Sequence, residues 1–204
     1  HTERHPKNTP PQRVLGLEPG STGADWRRHP IGGGWVYRTA WVADTAYVGP
    51  NAVVCGSAWV YGDAVVSGRA VVRDSAVVSG DAIVRDSAVV SGSAWVYGDA
   101  VVFGNAVVCD SAVVRGDAEV SGTAKVGGTA KVGGRAVVRG GAVVSGSAVV
   151  HDRAVVRDRA VVSGDAVVSG DAVVGGDAEV SGRAVVGGDA RVGGSDRLCK
   201  RQIV

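Results

Sequence analysis

Histidine is scarce: the chain of 204 residues has four, and three of them, His1, His5 and His29, lie in the first 33. That leaves one for the remainder, too few for a histidine-rich metal centre. There are three cysteines, Cys55, Cys109 and Cys199, and six prolines, five of them before residue 34. No stretch reaches the ~20 apolar residues of a membrane span, and none reads as a signal peptide. The start at His1 rather than methionine leaves room for an upstream segment. A formal net charge of +2 lacks the concentrated basic face that nucleic-acid binding requires. No Gly-x4-Gly-Lys phosphate loop occurs either, although there are 32 glycines.

What is present is a repeat. From Gly34 to Ser195 the chain divides into 27 blocks of six without a slip of phase: Ala, a variable residue that is usually Val, Val, a variable residue, Gly or Asp, and a variable residue. Position 3 is Val from Val36 to Val192, and position 1 is Ala from Ala40 to Ala190. In a strand, positions 1 and 3 share one face and positions 2 and 4 the other. Position 2 accepts Trp41, Glu119 and Lys131, and position 4 accepts Arg85, Tyr97 and His151, whereas position 1 accepts only a small residue and position 3 only Val. Positions 1 and 3 therefore face inward. Gly or Asp at position 5, followed by a small or polar residue, is a turn signal every six residues. Pro50 at position 5 rules out one common turn type, since proline cannot take positive φ.

A period of six does not follow the 3.6-residue helix, and a flat sheet would leave the valine row without an opposing layer. The remaining solution is an all-β solenoid whose Ala and Val rows face a common axis. Every eighteenth residue gives Thr39, Ser57, Ser75, Ser93, Ser111, Thr129 and Ser147 at one corner, and Asp63, Asp81, Asp99 and Asp117 at another. Three blocks thus make one triangular coil and 27 make nine, a rod roughly 40 Å long at ~4.8 Å per coil. Cys55 and Cys109 lie three coils apart, about 14 Å, beyond disulfide reach. Their spacing favours a reducing, cytoplasmic compartment.

The pattern of aliphatic, three variable, small and variable residues, as in Val60 to Ala64, resembles the signature of the hexapeptide-repeat transferase superfamily. The resemblance covers residues 34 to 195 and implies a left-handed parallel β-helix, a handedness that general crossover statistics oppose. Gly32-Gly33-Gly34-Trp35-Val36 followed by unbroken arrays is most similar to the polymer-forming or putative-transferase branch. Members of the superfamily often use one histidine as general base in a cleft between subunits, a role that His151 fits on chemistry. The resemblance then implies a trimeric acyltransferase with a coenzyme A thioester donor. Carbonic anhydrases of this fold need three histidines, which the rod lacks.

Residues 1–33 read as an irregular leader, poorly ordered to about residue 24, with Trp26 and Gly32 to Gly34 folding over the open first coil. Residues 196–204 read as a short tail whose Leu198 and Ile203 lie on the last coil. On the outer surface Trp41, Trp59 and Trp95 share one column, with Tyr61 and Tyr97 on the same strands. They form a candidate binding face, edged by Asp63 and Asp99, for a carbohydrate or a protein. The stacked Asp63, Asp81, Asp99 and Asp117 form a candidate cation column. Arg135, Arg139, Arg153 and Arg157 are candidate anion ligands around His151. Exposed valine rows along all three sides point to a homo-oligomer. The reading that accounts for the regularity, the missing loops and the poor catalytic inventory is a non-enzymatic rod that self-assembles or presents a repetitive face to a partner. It needs no firm cofactor; the acyltransferase is the alternative.

Overall fold

The computed structural model describes residues 9–199. Short strands recur every six residues from Trp35–Tyr37 to Arg191–Val192, and each pairs in parallel with the strand eighteen residues on, as Trp41 with Trp59 and Val42 with Val60. They assemble into three parallel sheets, the sides of a triangular solenoid of about nine coils. The leader side carries Trp35, Val53 and Val71 at position 2, the tryptophan side Trp41, Trp59 and Trp95, and the third side Tyr47, Val65 and Ile83.

Positions 1 and 3 build the core: Ala and Val from Ala46 to Val186 at these positions have no exposed surface. Removing each valine from water stabilises by about 1.5–3 kcal/mol. The smaller alanine lets three sheets meet around one axis. At position 5, every residue from Gly56 to Gly194 has positive φ, including Asp74, Asp86, Asp110, Asp152 and Asp158. Arg38, Asp44 and Pro50, the corners of the first coil, do not. The five aspartates follow a rule. Each accepts, through Oδ2, a hydrogen bond from the N–H of the glycine one coil on, as Asp74 from Gly92 at 3.0 Å and Asp152 from Gly170 at 3.1 Å.

The leader departs from the composition-based expectation. Residues 9–24, expected to be poorly ordered, contain a helix at Gln12–Leu15 and a 3-10 turn at Gly23–Asp25. They fold because Val14 and Trp26 find outward apolar partners in Trp35, Val53 and Cys55, and all five are buried together. The leader therefore packs mainly on a side of the rod. Its end-covering part is Trp26–Arg28, paired antiparallel with Trp35–Tyr37, and Ile31 to Gly34, which bond to Val48. Gly32 is needed there: its φ is +94° and a Cβ would collide with the Val48 carbonyl. Residues 1–8 and Ile203 lie outside the described residues. At the other end the repeat runs one strand past Ser195, since Arg197–Leu198 pairs with Glu179 and Val180 and Leu198 packs on the core. The outer valines are also less exposed than expected. Most are half-buried, because neighbours one coil above and below cover their flanks.

Candidate functional site

The tryptophan side owes its shape to two outward columns. Position 2 runs Trp41, Trp59, Val77, Trp95, Val113, Lys131 and Val149, each registered on the next by strand pairing. Position 4, by the same eighteen-residue step, runs Tyr61, Ser79, Tyr97, Arg115, Gly133 and His151. Because strand pairing fixes the register, these side chains stand on a rigid surface at ~4.8 Å intervals. Trp41, Trp59 and Trp95 remain 48%, 53% and 49% exposed. Trp41 and Trp59 lie 5.5 Å apart between ring centroids and tilted by 48°, and Tyr61 is 6.4 Å from Trp41. Trp95 and Tyr97 form a second island beyond Val77 and Ser79.

His151 shares this face. A groove of about 510 Å³ opens over Gly116 and Gly134, between Tyr97 and Arg115 on one side and His151 on the other. The Nδ1 of His151 lies 3.0 Å from Oδ2 of Asp152, which also accepts the Gly170 N–H. The hydrogen bond from His151, followed by that from Gly170, holds the Asp152 carboxyl below its ordinary range. The arrangement orients an imidazole beside a guanidinium and a phenol, in a groove open to solvent. Arg115 is the groove residue that reading by local sequence missed. Stepping eighteen from Tyr97 finds it.

The four aspartates Asp63, Asp81, Asp99 and Asp117 occupy the corner between the tryptophan and third sides, and the same column continues as Arg135, Arg153 and Asp171. Asp117 lies 3.8 Å from Arg135, and Arg153 2.6 Å from Asp171. The candidate cation column and half of the candidate anion cluster are thus one corner column, four aspartates followed by two arginines and a further aspartate. Arg139 and Arg157 stand on the far edge of the third side, and Arg157 pairs with Asp158 at 3.4 Å, so the four arginines do not converge. Among the described residues no three histidine, cysteine or acidic side chains are grouped to hold a metal ion. By contrast Arg115 and Lys131 make no ion pair among the described residues.

Cys55, Cys109 and Cys199 are free thiols. Burial, reinforced by Glu18, pushes Cys55 up to about 12, and burial beside Asp110 raises Cys109. Neither is a ready nucleophile, because the thiolate is the reactive form.

No curated protein matches the chain. A family model described as the YdcK beta solenoid repeat matches residues 94–110, the coil segment that holds Trp95, Tyr97 and Asp99.

Proposed function

We propose that the chain is a binding rod of the hexapeptide-repeat superfamily, nearest its polymer-forming branch, and that the tryptophan side is the surface it presents to a partner. One observation carries this reading: three half-exposed indoles in register on an inflexible sheet. A solvent-facing tryptophan gains nothing for the fold that valine does not supply at the same position, and fixed indoles favour stacking on a sugar ring or burial in a protein interface. The corner carboxylates beside them supply acceptors for hydroxyl donors. Two assays test it together: tryptophan fluorescence during titration with neutral and acidic oligosaccharides, and sedimentation across concentration. Trp59→Ala/Trp95→Ala should lose whichever interaction the wild type shows. Identical behaviour in both assays overturns the reading.

The groove favours a second reading, acyl transfer from a coenzyme A thioester. In it, His151, oriented by Asp152, takes the proton of an acceptor hydroxyl or amine, and Arg115 holds donor phosphate. His151→Ala then abolishes transfer and leaves the rod folded. Transfer surviving that change removes this reading.

A further inference from the structure

We infer that the partner of the tryptophan side is a second copy of this chain, packed antiparallel across a two-fold axis that runs along the strand Val113–Val114. The inference rests on the proposal that this side is a binding surface. It deepens that proposal by naming the occupant from the distribution of size and charge along the face.

The side has nine strands, and Val113–Val114 is the fifth. Bulk is concentrated before it and hollows after it. Trp59 stands in the first half where Val167, the same distance beyond the centre, stands in the second. Tyr97 is likewise matched by Gly133, which carries no side chain. Two copies packed parallel in register would press Trp59 on Tyr61 and Trp95 on Tyr97 and leave gaps between their second halves. Reversing one copy sets Trp41 opposite Val185, Trp59 opposite Val167 and Tyr97 opposite Gly133, the self-complementarity that an isologous two-fold interface requires.

Charge follows the same centre. A two-fold axis along the strand direction keeps the corner column facing its own copy in reverse order. Asp81 then meets Arg153, and Asp99 meets Arg135. No other strand taken as the centre pairs both carboxylates with both guanidinia. The intrachain pairs of these arginines do not prevent it: Arg135 and Arg153 are 74% and 65% exposed, and exposed pairs are worth little. Asp63 then meets Asp171, and on the axis Arg115 and Asp117 each face their own copy, so each Arg115 lies diagonal to Asp117 of the other copy. Lys131 meets Trp95, a cation over an indole.

The area suffices. Nine strands at ~4.8 Å and about four residues of strand width give a face of about 40 by 15 Å, so about 1,200 Å² is buried in total. That is at the lower bound of stable interfaces, about 1,200–2,000 Å², and predicts a dimer that dissociates on dilution.

The test uses the full chain. Wild type should shift from monomer to dimer with concentration in sedimentation velocity. Asp81→Arg/Asp99→Arg and Arg135→Asp/Arg153→Asp should each stay monomeric, and an equimolar mixture of the two should recover dimer. Geometry is read separately in a Cys109→Ser/Cys199→Ser background, with a bis-maleimide whose reach is about one intersheet spacing, ~10 Å. Val113→Cys, on the axis, should cross-link to itself. Val77→Cys should not, because its copies lie four strands apart, about 19 Å along the rod. A wild type that stays monomeric, a mixture that stays monomeric, a Val113→Cys protein that does not cross-link, or a Val77→Cys protein that cross-links equally each overturns the antiparallel dimer. If the wild type is monomeric while Trp59→Ala/Trp95→Ala still loses oligosaccharide binding, the dimer fails and the binding rod stands.

Discussion

The leader side and the tryptophan side are built from the same six-residue block, yet they treat their outward residues in opposite ways. On the leader side Trp35 is 2% exposed, under Trp26, Val14 and the Arg28 guanidinium, which sits 3.7 Å from the ring centroid. On the tryptophan side Trp41 and Trp59, in the next coil position, are half in water. Strand geometry does not separate them. What differs is whether the chain itself supplies a cover, so an outward apolar residue is core or surface according to what lies across it. A single column shows both states: Val53 is fully buried beneath the leader, and Val89, two coils along, is half-buried.

Aspartate substitutions in one strand neighbourhood sharpen that contrast. Val90→Asp places an unpaired charge on the axis and should abolish cooperative unfolding altogether, a loss of about 4 kcal/mol or more. Val53→Asp points outward but sits under the leader. It should cost about 2–3 kcal/mol by displacing the leader while the coils persist. Val89→Asp should cost under about 1 kcal/mol. Urea melts followed by circular dichroism rank the three, and equal damage at Val89 and Val90 would mean that the facing is wrong.

The leader's cover can also be lifted from its own side. Val14→Asp should make the Cys55 thiol react with iodoacetamide at a rate approaching that of exposed Cys199, whereas in wild type Cys199 should label first and Cys55 last. Mass spectrometry of the labelled peptides reads the order. Unchanged protection of Cys55 would show that the leader does not shield it.

Corners give a third comparison. A Cβ at Gly56 would lie 2.6 Å from the Asp74 backbone nitrogen, while at Gly188 it would meet nothing within 4 Å, although both have positive φ. Gly188→Ala should therefore cost only the left-handed backbone term, about 1 kcal/mol, and Gly56→Ala about 2–3 kcal/mol. Thermal melts that rank them equally would remove the coil-to-coil clash as a factor.

The smallest effect concerns pH. The Asp152 carboxyl is held low by His151 and then Gly170. A depressed folded-state pKa contributes stability above the ordinary carboxylate value, near 3.9, and loses it as pH falls through the folded value. The gap in Tm between wild type and Asp152→Asn should thus be present at pH 6 and shrink below about pH 4. A gap that is independent of pH would assign the difference to something other than this carboxylate.

Facing, coil length and the position of the core were legible in the sequence because each is repeated many times, and invariance at Val36 to Val192 filters out every residue that does not matter. The leader was not legible. Its contacts, such as Val14 on Cys55, occur once, and composition alone says only that Pro-rich segments resist regular structure. The groove was partly legible: His151 and Tyr97 are each conspicuous in the sequence, but only the eighteen-residue step brings them together with Arg115. The same step joins Asp117 to Arg135, which stand in one corner column.

From Trp41 to Ser181 each backbone N–H at positions 2 and 4 finds its acceptor seventeen residues ahead, as Trp41 does in Ala58 and His151 in Val168. That makes eighteen the unit by which the chain can change length without turning its sides. A deletion of one coil slides all later residues a single strand spacing along the rod and keeps each on its side. Loss of one six-residue block also preserves core, corners and hydrogen bonds, yet it turns everything downstream by a third of a circle. Taken out between Trp59 and Trp95, it would leave a stable protein with its tryptophans on two different sides. Natural variation in length that preserves the tryptophan column should therefore come in whole coils.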